Sequence, residues 1–329
     1  MELLMNEDVD RKEWKEFCLK CGYGSAFQMP EFYDLFNAVE GYSADVFAVR
    51  EKGDLAALMV VTVQKEKGIK GFFSRRGIIF GGPLITDKGS ASFILESVSS
   101  FYKNKLIYIE IRNLHDYGPF KEAFSSARWQ YTPWLNYRLK VDDFEQIKED
   151  MSSRRMRQIR KAKKTGVEWM EADKPDEIRE FYDLLSDLYR YKVKKPLPPW
   201  PFFKTFFDSG LGKFLLIKYK EEIIGGIMCP VLENQAVYLL YVAGKDNEYK
   251  HQYPGIMANW AAIEYALDHG IPMVDFMGAG HPDDKYGVRE FKARFGGEEV
   301  EFGRFSRVLN PALFGIGKIG LKLLQKTPA

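Results

Sequence analysis

Short apolar runs separated by polar turns dominate this chain, and their order repeats. In the first half Val46-Phe47-Ala48-Val49 leads through Lys52-Gly53-Asp54 into Ala57-Leu58-Met59-Val60-Val61. In the second, Phe214-Leu215-Leu216-Ile217 leads through Lys220-Glu221-Glu222 into Ile223-Ile224-Gly225-Gly226-Ile227. Apolar runs of this length bounded by turn residues predict β-hairpins. Each hairpin follows a predicted helix carrying the same pentapeptide, Glu31-Phe32-Tyr33-Asp34-Leu35 and Glu180-Phe181-Tyr182-Asp183-Leu184, 149 residues apart. Further on, a helix and then the strand Leu106–Ile111 match a helix and then Met273–Phe276 at an offset of about 167. The change of offset requires 18 extra residues in the second half, and the stretch Tyr191-Lys192-Val193-Lys194-Lys195-Pro196-Leu197-Pro198-Pro199-Trp200-Pro201 supplies them. The shared order argues for a duplicated unit. Helices alternating with antiparallel hairpins predict a mixed α/β fold, with a boundary near residues 140–150, after the strand Tyr137–Val141.

Composition narrows the field. At 329 residues, 46% hydrophobic and 15% aromatic, the chain can fill two cores. A net charge of +2 excludes a globally basic nucleic-acid coat but leaves room for local patches. Three cysteines argue against a disulfide framework, and Cys18 and Cys21 lack the further ligands a zinc site needs. His115, His251, His269 and His281 are scattered without metal-ligand spacing, and neither a nucleophile elbow nor a Walker loop occurs. No secretory leader is expected at the N-terminus, and no run reaches the ~20 apolar residues of a membrane span. In the tail, Leu313, Phe314, Ile316, Ile319, Leu321, Leu323 and Leu324 alternate with Lys318, Lys322 and Lys326. Such a tail either lies on a membrane surface or closes against its own protein.

Three segments could carry chemistry. The apolar run Val274-Asp275-Phe276-Met277 ends in Gly278-Ala279-Gly280, and after a loop Tyr286-Gly287 opens a short helix bearing Arg289, Phe291 and Lys292. This is how a strand delivers a polar loop and one cation to the rim of a sheet. Acyl transfer to an amine develops negative charge on a carbonyl oxygen, and a preorganised donor there contributes ~3 kcal/mol. The alternative for Lys292 is a solvated surface lysine. The run Ser152–Gly166 holds seven cations and no acid, with Arg157, Arg160, Lys161 and Lys164 on one helical face. An anionic partner and a merely solvated face are both open readings. Finally, Val237–Gly244 predicts a strand carrying Tyr238 and Tyr241, and Gln252-Tyr253-Pro254-Gly255-Ile256-Met257 opens the next helix.

The last segment, Phe291-Lys292-Ala293-Arg294-Phe295-Gly296-Gly297, resembles the Phe-Lys-x-x-Phe-Gly-Gly signature of Fem-type aminoacyltransferases, which build peptidoglycan cross-bridges. Ile159-Arg160-Lys161-Ala162-Lys163-Lys164-Thr165-Gly166 resembles the entry to the second half of those enzymes, and the likeness extends from Phe27 to Phe305. It implies two tandem GNAT-like (acyl-CoA N-acyltransferase) subdomains with mixed, largely antiparallel sheets. These would be 1–147 and 148–309, the second holding the active site, with a helix over 310–329 packing back on the first. It implies Lys292 and Phe291 as catalytic residues and Tyr241 as a substrate contact. Arg289, Arg157, Arg160 and Lys161 become phosphate contacts. Of a threonine, arginine and tyrosine that hold the nucleotide-linked muropeptide in cell-wall members, Arg190 alone persists, flanked by Leu188 and Lys194. Asn37 replaces a first-half lysine. The implied donor is aminoacyl-tRNA and the acceptor an amine of a nucleotide- or lipid-linked cell-envelope precursor. No metal or tightly bound cofactor is implied, and the expected location is the cytoplasm, with membrane contact through the tail. The competing reading is a GNAT-type acyl-coenzyme A-dependent transferase acting on an amino sugar or exopolysaccharide precursor. Its pyrophosphate-binding Arg/Gln-x-x-Gly-x-Gly/Ala pattern survives only in part at Gln252–Met257. A non-catalytic binding protein is the third.

Overall fold

The computed structural model describes residues 1–65 and 74–316. The chain divides into two compact units, Met1–Pro133 with the chain from Phe302 onward, and Trp134–Glu301. The first unit is a sheet in the order β1 (Glu2–Met5), β2 (Tyr42–Glu51), β3 (Asp54–Gln64), β4 (Arg76–Gly81), β6 (Tyr108–Asn113), β16 (Arg304–Val308), β7 (Gln130–Thr132), with β5 (Leu84–Ile85) beside β3. The second has the order β9 (Val167–Glu171), β10 (Gly212–Tyr219), β11 (Glu222–Leu232), β12 (Ala236–Tyr238), β14 (Met273–Gly278), β8 (Leu135–Lys140), β15 (Glu298–Glu301), with β13 (Tyr241–Gly244) on β11. The two sheets correspond strand for strand. In each, among the described residues, only the fourth and fifth strands run parallel, β4 with β6 and β12 with β14. The mixed, largely antiparallel architecture expected from the repeat is therefore present.

Local sequence explains the correspondence. The hairpin β2–β3 turns through Lys52 and Gly53, both at positive φ, which matches the twist of the flanking strands. The hairpin β10–β11 turns through Lys220, also at positive φ, and the two hairpins shift register at equivalent places, Val49/Arg50 and Ile217/Lys218. The repeated pentapeptides lie on α2 (Pro30–Asn37) and α7 (Pro175–Leu188), where Phe32 and Phe181 are both buried. Proline at the first helical position suits both, because it lacks only an amide that would be unpaired there. The other principal helices are α1 (Arg11–Lys20), α3 (Lys88–Tyr102), α4 (Lys121–Ser126), α5 (Phe144–Asp150), α6 (Ser153–Lys164), α8 (Trp200–Ser209), α9 (Pro254–Asp268) and α10 (Gly287–Ala293). Helix α9 is buried on nearly all sides and forms the centre of the second core with Ile224, Ile227, Val237 and Val274.

The division into units differs from the expected boundaries of 1–147 and 148–309. Strand β8, expected to close the first half, pairs with β14 and β15 of the second unit. Strand β16, which follows the second half, pairs with β6 and β7 of the first. Each half thus gives its last strand to the other sheet, and the alternation within a strand carries no record of which sheet it joins.

Other expectations meet specific contacts. Cys18 is buried with Sγ 3.3 Å from the Gln28 carbonyl, and the three cysteines are free thiols. Asn37 bonds both the amide and the carbonyl of Ala44, closing the turn from α2 into β2. Among the described residues no helix is long and apolar enough to cross a membrane, and no three metal-ligating side chains come together. The tail is helical over 311–316, with Phe314 against Tyr108 at 5.4 Å between centroids. Its remainder, including Lys318, Lys322 and Lys326, lies outside the described residues.

Candidate active site

In the second sheet the parallel strands part. Strands β12 and β14 pair only at Val237↔Val274 and Tyr238↔Asp275. The Leu239 amide still reaches the Asp275 carbonyl at 2.9 Å, and then the Leu240 amide turns to Met228 at 3.1 Å. From there β13 follows β11, while β14 continues along β8 to Gly278↔Asn136. The sheet therefore opens at the C-terminal ends of its two parallel strands, the usual place for a ligand in such sheets. In the first unit β4 and β6 remain paired from Arg76↔Tyr108 to Gly81↔Asn113, so no opening forms there.

Lys292 determines the shape of the β14 rim. Its Nζ donates to the carbonyls of Phe276 at 2.5 Å and Gly278 at 2.8 Å, with Met277 more distant at 3.4 Å. An ammonium has three donors, and all are directed at this one turn of backbone. Strand β14 bulges between Asp275 and Gly278, and Met277 takes φ +61, a left-handed conformation unusual for a side-chain-bearing residue. The bulge is held from its other side by Asp275, which is fully buried. Asp275 Oδ1 accepts the Met277 amide at 2.7 Å and Oδ2 accepts Arg138 Nε at 3.1 Å. Burial pushes the Asp275 carboxyl above its usual range, against the opposing pull of Arg138 and Lys292. Burial likewise pushes the Lys292 ammonium down to about 8, and the nearby Asp275 charge opposes that shift.

The Lys292 ammonium, expected at the rim of the sheet, faces inward onto backbone, and the alternative of a solvated surface lysine does not hold. Phe291 packs against the second core, 5.5 Å from Phe295 between ring centroids. Above both rings lies Arg155, at 4.4 Å and 4.3 Å, with Nη2 on the Phe291 carbonyl at 3.1 Å. Arg155 was counted in sequence only as one more cation of the basic run, yet it is 2% exposed, and its buried Nε has no partner. Burial pulls its guanidinium down to about 10. Its position one residue before Met156 on a helix that buries Met156 and Ile159 was the available signal. Arg289 directs its guanidinium into its own loop, at the carbonyls of Ala279 (3.1 Å), Pro282 (2.9 Å) and His281.

Tyr241 begins β13 where the strands part, and its ring lies 6.2 Å from Tyr189 and 5.4 Å from Phe203 between centroids. Tyr189 opens a π-helical turn, Tyr189–Val193, at the start of the insert, and its phenol is raised by burial and by the neighbouring Tyr286. The Tyr286 ring in turn covers Gly280, where an added Cβ would meet it at 3.0 Å. Tyr189 thus packs against β13 within electrostatic reach of the Lys292 loop, and it is a residue that sequence reasoning missed. Arg190 is exposed beside the Tyr191 ring. Arg157 and Arg160 are exposed on α6, as is Lys161, whose Nζ is 3.2 Å from His251 Nδ1. Ser152 caps this helix, and Gly166 at φ +88 ends it.

The start of α9 is closed to anions. Pro254 has no amide, the Gly255 amide donates to Asp246 Oδ1 at 3.0 Å, and the Ile256 and Met257 amides return to the Tyr253 carbonyl at 3.0 and 2.9 Å. Asp246 lies close enough to Lys192 and Arg155 for their charges to act on it.

Residues 151–292 match the family model of the acetyltransferase (GNAT) domain. No curated protein matches the chain. Among solved structures it is similar to FemX, at 15% identity and a TM-score of 0.74 over 96% of this chain and 99% of that one. It is also similar to the C-terminal domain of a protein designated a lysylphosphatidylglycerol synthetase from Agrobacterium fabrum (12% identity, TM-score 0.62, 96% of this chain and 97% of that one). A tandem GNAT protein from the clavulanic acid biosynthesis pathway matches at 11% identity and a TM-score of 0.59, over 94% and 99% of the two chains. The fold is the tandem GNAT fold, with the family match on the unit that holds the opened sheet.

Proposed function

We propose that the protein is an N-acyltransferase working in its second unit, moving an aminoacyl group from aminoacyl-tRNA to an amine of a cell-envelope precursor. The parting of β12 and β14 above the Lys292-held bulge carries this reading, because parallel strand ends open there beside a fixed positive charge. In the reaction a neutral amine nitrogen attacks the ester carbonyl, a C–N bond forms, the bond to the tRNA oxygen breaks, and the amine proton passes to that oxygen. Lys292 acts through position: it fixes the bulge and lends its field to the developing oxyanion while its own hydrogens stay on the backbone. Asp275 has both oxygens engaged and is unsuited to be a base. The exposed Arg157, Arg160 and Lys161, with Arg190, Lys192, Lys194 and Lys195 of the insert, suit a phosphate-bearing ligand.

Acyl-coenzyme A as donor is the alternative, and the closed start of α9 speaks against it. The deciding assay offers the purified protein charged tRNA or acetyl-coenzyme A with an amine acceptor, using wild type and Lys292→Met. Transfer from charged tRNA, lost in the variant, is expected. Transfer from the coenzyme alone would replace this reading with the alternative, and transfer from neither would favour a binding protein.

A further inference from the structure

Helix N-termini attract phosphates through unpaired amides and the positive end of the helix dipole. A fifteen-residue helix such as α9 is a strong candidate for that role, and β13 leads to it through the loop 245–253. The packing there is close: a Cβ on Gly244 would stand 2.6 Å from the Gly255 nitrogen. Yet every amide of the first turn is accounted for within the chain, and the Gly255 amide is held by a carboxylate. Asp246 places a negative charge where a phosphate would dock, and it balances the charges of Lys192 and Arg155 that would otherwise attract one.

We infer that Asp246 is a specificity-determining residue: its carboxylate substitutes for a ligand phosphate at the start of α9 and so denies this end of the opened sheet to diphosphate-bearing donors such as acyl-coenzyme A. The inference rests on the proposed transferase reading and deepens it by naming the residue that selects the donor class. Asp246 is a surface side chain on the loop after β13, outside the Lys292–Asp275–Arg138 cluster, so its replacement leaves the bulge intact.

Calorimetric titration of the full-length protein with coenzyme A and with inorganic pyrophosphate provides the test. Asp246→Ala frees the Gly255 amide and removes the charge, whereas Asp246→Asn removes the charge and keeps an oxygen for that amide. Wild type should bind neither probe at millimolar concentration. Asp246→Ala should bind both at least roughly tenfold more tightly than wild type, with Asp246→Asn between them. Thermal melts of both variants establish that they are folded, and Asp246→Asn remains informative should the alanine variant unfold. A folded Asp246→Ala or Asp246→Asn that binds no better than wild type overturns the assignment while leaving the transferase reading in place. Micromolar coenzyme A binding and acetyl transfer by wild type overturn both.

Discussion

Replacing Lys292 by Met tests whether this residue holds the bulge or merely fills space. The substitution keeps the aliphatic stem and deletes the ammonium that bonds the Phe276 and Gly278 carbonyls. Two buried acceptors left without a partner cost ~2 kcal/mol each, so roughly 4 kcal/mol is lost. Against this, holding the ammonium in its buried place lowers its pKa from 10.5 to about 8. That shift corresponds to about 3 kcal/mol of unfavourable desolvation, which the methionine does not suffer. The net loss is therefore only about 1 kcal/mol, a few degrees in Tm. The local effect is larger, because without Lys292 the bulge keeps only its hold from Asp275 while Met277 stays at positive φ. Hydrogen exchange at Met277, Gly278 and Ala279 should accelerate well beyond the global change, and acyl transfer should fall by roughly a hundredfold. Since the folded pKa lies below the unfolded one, the unfolded chain binds more protons between pH 8 and 10.5. Wild type should therefore gain stability relative to the variant as pH rises through that window. A Tm loss above about 10 °C, or unchanged exchange at 277–279, would refute the account.

Further expectations follow from the same contacts. Asp275→Asn leaves Arg138 without its buried carboxylate and should cost ~3 kcal/mol in chemical denaturation, against under 1 kcal/mol for an exposed control such as Asp183→Asn. A fragment of residues 134–301 should fold cooperatively, whereas 148–309 should not, because it lacks β8 and with it Arg138; circular dichroism melts of the two distinguish them. Arg155→Met gives up the bond to the Phe291 carbonyl but removes a guanidinium that burial penalises against the opposing pull of Asp246, so its melt should shift little while exchange across α10 quickens. Replacing Arg157, Arg160 and Lys161 by Ala should leave stability within ~0.5 kcal/mol and lower the salt dependence of tRNA binding by about two to three units of slope.

Pattern and turn residues alone specify the local elements: two hairpins, the basic helix, and the duplicated order with an insert. Those follow from interactions within a few residues, where propensity and pattern act alone. Only the tertiary structure decided that β8 and β16 exchange sheets, since strands of the same alternation fit either edge until partners and register are chosen. The same holds at the site. The motif put Lys292 beside a glycine-rich strand end, but whether its ammonium faces solvent or backbone depends on carbonyls 14 to 16 residues away. Arg155 read as one more cation of a basic run, and nothing in the sequence marked Asp246, until folding buried the first against two phenylalanine rings and set the second at the head of α9. A side chain's type is written in the chain, while its partner is a matter of distance, and distance exists only after the core has closed.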